Sequence, residues 1–399
     1  MSCPHAKKKR HTNPLAFLLI SAGIIVMLLL NLTIGTVDIP ISEICSILVG
    51  NECDNTIWQN IIMKSRIPQA LTAVLAGAGL AVSGLQMQTI FHNPIAGPSV
   101  LGISSGASLG VAFVVLLSGN LAGVALGNLG TAGEMAITMA SIIGALCVMA
   151  LIVFVSQHVR GNVTLLIIGV MIGYIANAVI GVMKYLSVEE DIRAYVIWGL
   201  GSFARVSTDQ LKIFAAMMVL TLPVACLQAK SLNMLLLGEA YAKNLGLNIK
   251  RIRMAVIGCA GVLVAIITAY CGPIMFLGLA VPHVCRGVFR TSDHRILLPA
   301  TILTGALLAL VCNLIARMPG FEGALPVNSV TALIGAPIVI YVLLKRKRDD
   351  LQEELFGHQL VVSIAVFAHK NNGKFAVRVD FATMFHAMGE KFRKEQSGI

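Results

Sequence analysis

The chain has 399 residues, of which 57% are hydrophobic and 12% are charged, with a formal net charge of +11. Soluble domains carry about twice that share of charge, and no single soluble core could hide this much apolar surface. A soluble enzyme, a disordered protein and a nucleic-acid-binding domain are excluded; the positive charge reads as Lys and Arg in the cytoplasmic loops of a membrane protein.

In chain order, a basic run from Lys7 to Arg10 precedes an apolar stretch from about Leu15 to Ile34. That stretch is long for the apolar part of a signal peptide, and no small-residue cleavage site follows it. It predicts a first spanning helix. Nine more apolar stretches follow, at about 67–91, 99–118, 134–156, 163–185, 209–228, 254–270, 273–289, 296–316 and 328–344. A span needs roughly 20 apolar residues, so an all-α membrane protein of ten transmembrane helices is expected. Basic residues follow the even-numbered stretches, at His92, Arg160, Lys230, Arg286 to Arg295 and Lys345 to Arg348. Two of the opposite loops hold acids: Asp38, Glu43, Glu52 and Asp54 in one, Glu189, Glu190 and Asp191 in the other. The positive-inside rule then puts both termini in the cytoplasm. Trp58 and Trp198 fall near the outer interface, where belt aromatics belong.

The nine cysteines are scattered, with no C-x-x-C pair to suggest zinc or redox chemistry. Cys45 and Cys53 share one polar loop, and would pair only if that loop is extracytoplasmic; the sequence leaves this open. Glycine numbers 37. Gly102, Gly106 and Gly110, the pair Gly169 and Gly173, and the set Gly77, Ala81 and Gly84 form small-residue faces that let helices approach closely in lipid. After Arg348, two alternating apolar runs flank Asn372–Gly373 and read as a β-hairpin. Residues 349–399 are thus a cytoplasmic appendage, either regulatory or without function; 1–14 is a basic cytoplasmic N-terminus, and 15–348 is the membrane domain.

Charge is absent from Arg66 to Glu134, from Gly161 to Met183, from Met254 to Cys285 and from Ile296 to Ala316, apart from the named ends of the first stretch. Proton-coupled carriers use ionisable groups inside the membrane, so a proton-driven carrier is disfavoured. No G-x-x-x-x-G-K-[ST] nucleotide loop occurs either. If ATP drives this protein, a partner binds it and docks on a cytoplasmic loop. The loop 231–251 suits that role. Its alanines and leucines favour a short helix, and Gly246 can stop it in a left-handed conformation. From the residues alone, that helix either fills a groove on a partner or lies on the membrane surface.

GEAYAKNLG, from Gly238 to Gly246, resembles the coupling segment G-E-x-A-x-x-L-G of ABC importer permeases. Four other stretches resemble the FecCD-type permeases of that class, which carry iron siderophores, haem and cobalamin. They are Arg66 to Gly110, Phe276 to Arg286 (FLGLAVPHVCR), Ser292 to Ala306 (SDHRILLPATILTGA) and Leu325 to Leu344. The likeness spans about residues 15–348. It implies a type II importer fold of ten helices in the cytoplasmic membrane, paired with a second copy of itself around the path. Two ABC ATPase subunits would dock below, holding ATP and Mg, and a substrate-binding protein would dock outside. The chain itself would be no enzyme and would hold no cofactor. Ferric siderophore is the expected cargo, with haem or cobalamin as alternatives. A stand-alone secondary transporter or channel is the competing reading.

The resemblance assigns roles residue by residue. Gly238, Glu239, Ala240, Ala242, Leu245 and Gly246 form the ATPase-coupling helix. Arg66 and Arg317 would meet acidic groups of the binding protein, as guanidinium pairs well with carboxylate. Asn93, Ile95 and Asn162 match a cytoplasmic gate. Three positions depart from the pattern: Gln69 replaces a second Arg, Ala324 a Glu, and Asn328 a Gly. His283 invites a metal-ligand reading, but no second ligand is spaced to help it, and a structural role is expected; the methionines read as packing.

Overall fold

The computed structural model describes residues 14–35, 37, 39–49, 55–122, 131–159, 161–318, 324–342 and 344. The basic N-terminus, Asp38, Cys53, Arg160 and the expected hairpin of 349–399 lie outside these residues. The chain divides into two compact units, Met1–Ile340 and Tyr341–Ile399. In the second, Tyr341, Val342 and Leu344 are helical.

Regular structure among the described residues of the first unit is helical throughout. The helices are α1 (Pro14–Thr33), α2 (Ile41–Val49), α3 (Thr56–Ile61), α4 (Ile67–Ile90), α5 (Ile103–Ala122), α6 (Thr131–His158) and α7 (Asn162–Leu186). Then come α8 (Glu189–Gly199), α9 (Thr208–Leu227), α10 (Ala229–Leu236), α11 (Glu239–Asn244), α12 (Ile249–Cys271), α13 (Leu277–Phe289) and α14 (His294–Ala316). The last, α15, is Val327–Val342. A π turn at Ile62–Arg66 joins α3 to α4, giving one helical rod, Thr56–Ile90.

Among the described residues, seven helices are long and apolar enough to cross a membrane: α1, the α3–α4 rod, α6, α7, α9, α12 and α14. Three shorter apolar helices, Ile103–Leu117 within α5, α13 and α15, fall within three further apolar stretches of the sequence. Backbone geometry accounts for two of the short ones. α5 starts only after Gly102 turns left-handed at φ +74°, and α13 only after Phe276 at φ +67°.

Burial sorts the long helices into two kinds. In the α3–α4 rod, 83% of the most apolar stretch is buried, and in α12 67%, against 11% in α1 and 17% in α6 and α9. Helices that are apolar all round and buried belong at the centre; equally apolar but exposed ones present the surface that lipid covers. Glycine lets the central helices touch. Gly77 packs on the Gly305 backbone of α14, and Gly84 on Gly278 of α13. A Cβ on Gly106 would lie 2.7 Å from the Gly144 carbonyl oxygen of α6. Gly102, expected on the same stripe, serves the turn instead.

Side-chain caps start several helices. Ser207 and Gln210 cap each other's backbone amides at α9. Asn248 accepts from the Arg251 amide at α12, 3.1 Å, and Asp293 from the Arg295 amide at α14, 2.9 Å. Trp198 is not a belt residue within this chain. It is 2% exposed, in an apolar cluster with Tyr195, Val111 and Leu116, whereas Trp58 is half-buried at the edge of another.

Candidate functional site

Polar side chains gather at the two ends of the helix bundle. At the Glu239 end, α10 stops at Leu236 and the chain turns through Gly238 at φ +99°. α11 runs for six residues. Gly246, at φ +85°, closes it. The Gly246 amide donates to Lys243 O at 2.9 Å and the Leu247 amide to Ala242 O at 3.1 Å, the paired bonds of a Schellman ending. A Cβ at Gly238 or Gly246 would meet nothing within 4 Å, so glycine is needed there for backbone conformation, not for space.

Glu239 is the hub of this loop. Its Oε1 accepts from Arg253 Nη2 of α12 at 2.7 Å and from Asn162 Nδ2 of α7 at 3.2 Å. The Arg253 side chain is mostly buried and that of Glu239 partly exposed, so the bond fixes the loop's angle against two spanning helices. Ala242 is fully buried beneath it. The outer side of the loop is the reverse: Leu237 is 62% exposed, Leu245 55% and Tyr241 54%, beside the exposed Ala240 and Gly246. An apolar ridge rimmed by Lys243 and Lys250 is thus presented outward.

Asn162 was expected at a gate and Glu239 at a coupling helix; the structure bonds them to each other. Asn93 is engaged differently. Its Oδ1 accepts from the Ile95 amide at 3.0 Å, and its carbonyl accepts from the Ala96 amide at 3.1 Å. Together these shape a tight turn with Ile95 exposed at its tip. His283, 7% exposed, makes its Nε2 contact with Pro94 O at 2.8 Å, pinning that turn to α13. Among the described residues no three His, Cys, Asp or Glu side chains are placed to hold a metal ion.

At the opposite end Arg66 closes the π turn before α4. It is 1% exposed. Its guanidinium donates to Thr33 O at 2.8 Å and to the carbonyls of Leu32 and Val37. The π turn shifts the helical register by one residue, and Arg66 lies on the buried side. There it satisfies the carbonyls that α1 leaves unbonded at its C-terminus. Within this chain the guanidinium is turned inward. Arg317 is half-buried and donates to Asn31 O at 3.4 Å. Burial first, and then the Arg66 charge, lower its pKa from the ordinary value.

A buried amide ladder lies below these arginines. Gln69 Nε2 donates to Asn313 Oδ1 at 3.0 Å. Asn313 Nδ2 donates to Asn31 Oδ1 at 2.8 Å, and Asn31 Nδ2 to Leu310 O at 3.1 Å. It ties α1, α4 and α14 together, and it explains why an amide fits at Gln69. The lone amides Asn31 and Asn313 in apolar runs were the available signal for it.

Comparison with known proteins agrees with this architecture. The FecCD transport family matches residues 23–345. The chain is 37% identical over 288 residues to the vitamin B12 import system permease protein BtuC of Salmonella paratyphi A, covering 72% of this chain and 84% of that protein. The figures are the same for BtuC of Citrobacter koseri. A solved structure described as an inward-facing, metal-chelate type ABC transporter superposes with a TM-score of 0.72 at 28% identity, over 83% of this chain and 99% of that one. An all-α, multi-span permease fold typical of type II importers, with these matches, makes the chain a membrane permease subunit of an ABC importer, and it belongs to the FecCD transport family.

Proposed function

We propose that this chain imports a metal chelate across the cytoplasmic membrane as one of two identical permease subunits, driven by two ATPase subunits docked on the Glu239 loop. One observation carries the docking: Leu237, Tyr241 and Leu245 stand exposed on a loop whose Glu239 is fixed from behind by Arg253 and Asn162. Apolar side chains on a rigid, capped helix suit a partner groove. The coupling set is Gly238, Glu239, Ala240, Ala242, Leu245 and Gly246. ATP and Mg reside in the partner; no cofactor is assigned to this chain.

The seven long helices and three shorter ones together make ten spans, within a membrane domain of 15–348. The Glu239 loop faces the cytoplasm, as do the basic 1–14 segment, the 349–399 tail and both termini. Lys243, Lys250 and Arg251 support this sidedness. Asn93 and Ile95, on the turn held by His283, serve the cytoplasmic gate, and Asn162 links it to the coupling loop. Arg66 and Arg317 mark the face that meets acidic groups of the extracytoplasmic binding protein, with Arg317, the less buried of the two, making the more direct contact.

The test is uptake in proteoliposomes holding this chain, its copurifying ATPase and its binding protein. Cobalamin is offered first, because both named relatives are vitamin B12 import permeases; ferric siderophore and haem follow. ATP-dependent accumulation of one of them supports the proposal. Accumulation without ATP, by this chain alone, would make it a stand-alone carrier.

A further inference from the structure

Behind the Glu239 loop lies a second hydrogen-bond system that the coupling motif does not include. Asn233 stands on α10, the helix just before the loop. Its Nδ2 donates to Asp293 Oδ1 at 2.6 Å. That same carboxylate oxygen caps α14 through the Arg295 amide. The Asn233 amide is thereby oriented, with its oxygen turned to His294. Asn233 Oδ1 accepts from the His294 backbone amide at 2.8 Å and lies 2.8 Å from His294 Nδ1. An amide oxygen cannot donate, so Nδ1 carries the ring proton.

His294 Nε2 then points at α4. It lies 2.8 Å from Thr89 Oγ1, and Thr89 Oγ1 lies 2.8 Å from Leu85 O. His294 is 1% exposed and Thr89 2%, so water does not compete for these bonds. Four residues past Thr89 the Asn93 turn begins. Two further ties hold the same stretch: His92 Nε2 lies 3.0 Å from Leu235 O of α10, and Gln88 bonds to Leu279 O of α13 at 3.2 Å.

We propose that the Asn233–His294–Thr89 relay transmits motion of the ATPase-docking loop to the Asn93–Ile95 turn, with His294 as the positioning residue. α10, the first turn of α14 and the last turn of α4 are bonded in series, Asn233 to His294 and His294 to Thr89. A push on the loop therefore moves the end of α4 and the turn that follows it. The apolar packing of α4 holds that helix laterally, and the relay sets its position along the direction of the push. This inference rests on the importer reading above.

The test uses the full complex with its ATPase, in lipid nanodiscs. Thr89→Val keeps the shape and removes the hydroxyl; Thr89→Ser keeps the hydroxyl. Asn233→Leu breaks the other bond of the same ring. Two quantities are read: cargo moved per ATP hydrolysed, and the ATP-induced change in amide hydrogen exchange over residues 92–97. In Thr89→Val and Asn233→Leu, cargo per ATP should fall about fivefold or more, the scale of one lost buried hydrogen bond. Hydrolysis and ATPase retention should persist, and the exchange response of 92–97 should disappear. Thr89→Ser should restore both. A stability defect alone would lower the melting temperature without separating hydrolysis from transport. If Thr89→Val and Asn233→Leu keep the wild-type ratio and exchange response, the relay is overturned and the importer reading stands. If the wild-type complex retains no ATPase, the docking reading of the Glu239 loop falls and the relay falls with it; if 92–97 never responds to ATP in a complex that transports, the relay alone is overturned.

Discussion

The two ends of the bundle use similar residues in opposite ways. At the Arg66 end, one arginine and three amides turn inward; Arg66 is 1% exposed and donates to the chain's own carbonyls. At the Glu239 end, the ion pair with Arg253 is half-open, and the apolar side chains beside it face outward. A charge near a membrane surface therefore does not by itself mark a docking site. The Arg66 end closes a helix terminus, and the Glu239 end holds a ridge of exposed Leu and Tyr at a fixed angle.

The largest expected effect comes from Arg66→Ala. The Leu32 and Thr33 carbonyls at the end of α1, and that of Val37 beyond it, would lose their donor, at a cost of roughly 3 kcal/mol or more, read as a fall in melting temperature of the detergent-solubilised chain. Glu239→Arg should behave in the opposite way. It sets a second positive charge against Arg253 in a half-exposed site, costing the fold about 1 kcal/mol, yet ATPase copurification should drop more than tenfold. If Glu239→Arg unfolds the chain and Arg66→Ala spares it, the contrast between the ends is wrong.

Arg317→Ala sharpens the comparison further. Its guanidinium makes one long bond to Asn31 O, so the melting temperature should change little, while affinity for the binding protein falls several-fold, on the scale of one exposed charge pair. The smallest effect is expected at Asp191, on α8. Burial, and then the Glu190 charge, raise its pKa from the ordinary carboxylate value. A carboxyl whose folded pKa is raised favours the folded state at low pH, and that contribution is lost as pH rises through the folded pKa. Asp191→Asn should therefore flatten the loss of thermal stability between pH 4 and neutral pH.

Much of the architecture was legible in the residues because lipid imposes length and hydropathy on every span. Each of the ten apolar stretches contains a helix. Gly246 was readable as a helix stop because a left-handed ending demands glycine. The pairing of Asn162 with Glu239 was not readable, since 77 residues separate them and no local pattern encodes which loops meet. The inward turn of Arg66 was not readable for a related reason: an arginine at a helix start looks the same in sequence whether it snorkels outward or turns onto a neighbour's carbonyls, and the π turn at Ile62–Arg66 leaves no signature in the residues. The helix α8 was hidden too, because the run Glu189, Glu190, Asp191 reads as a polar loop until its apolar side is packed on α5.

The most direct test of the central contrast is site-specific photocrosslinking in membranes that contain the whole importer. A photoreactive residue is placed at Leu245 on the Glu239 end and, separately, at Ile57, which is 66% exposed at the Arg66 end. A crosslink to the ATPase subunit from Leu245 and none from Ile57 is the predicted result. A crosslink to the ATPase from Ile57, or none from Leu245, would contradict it.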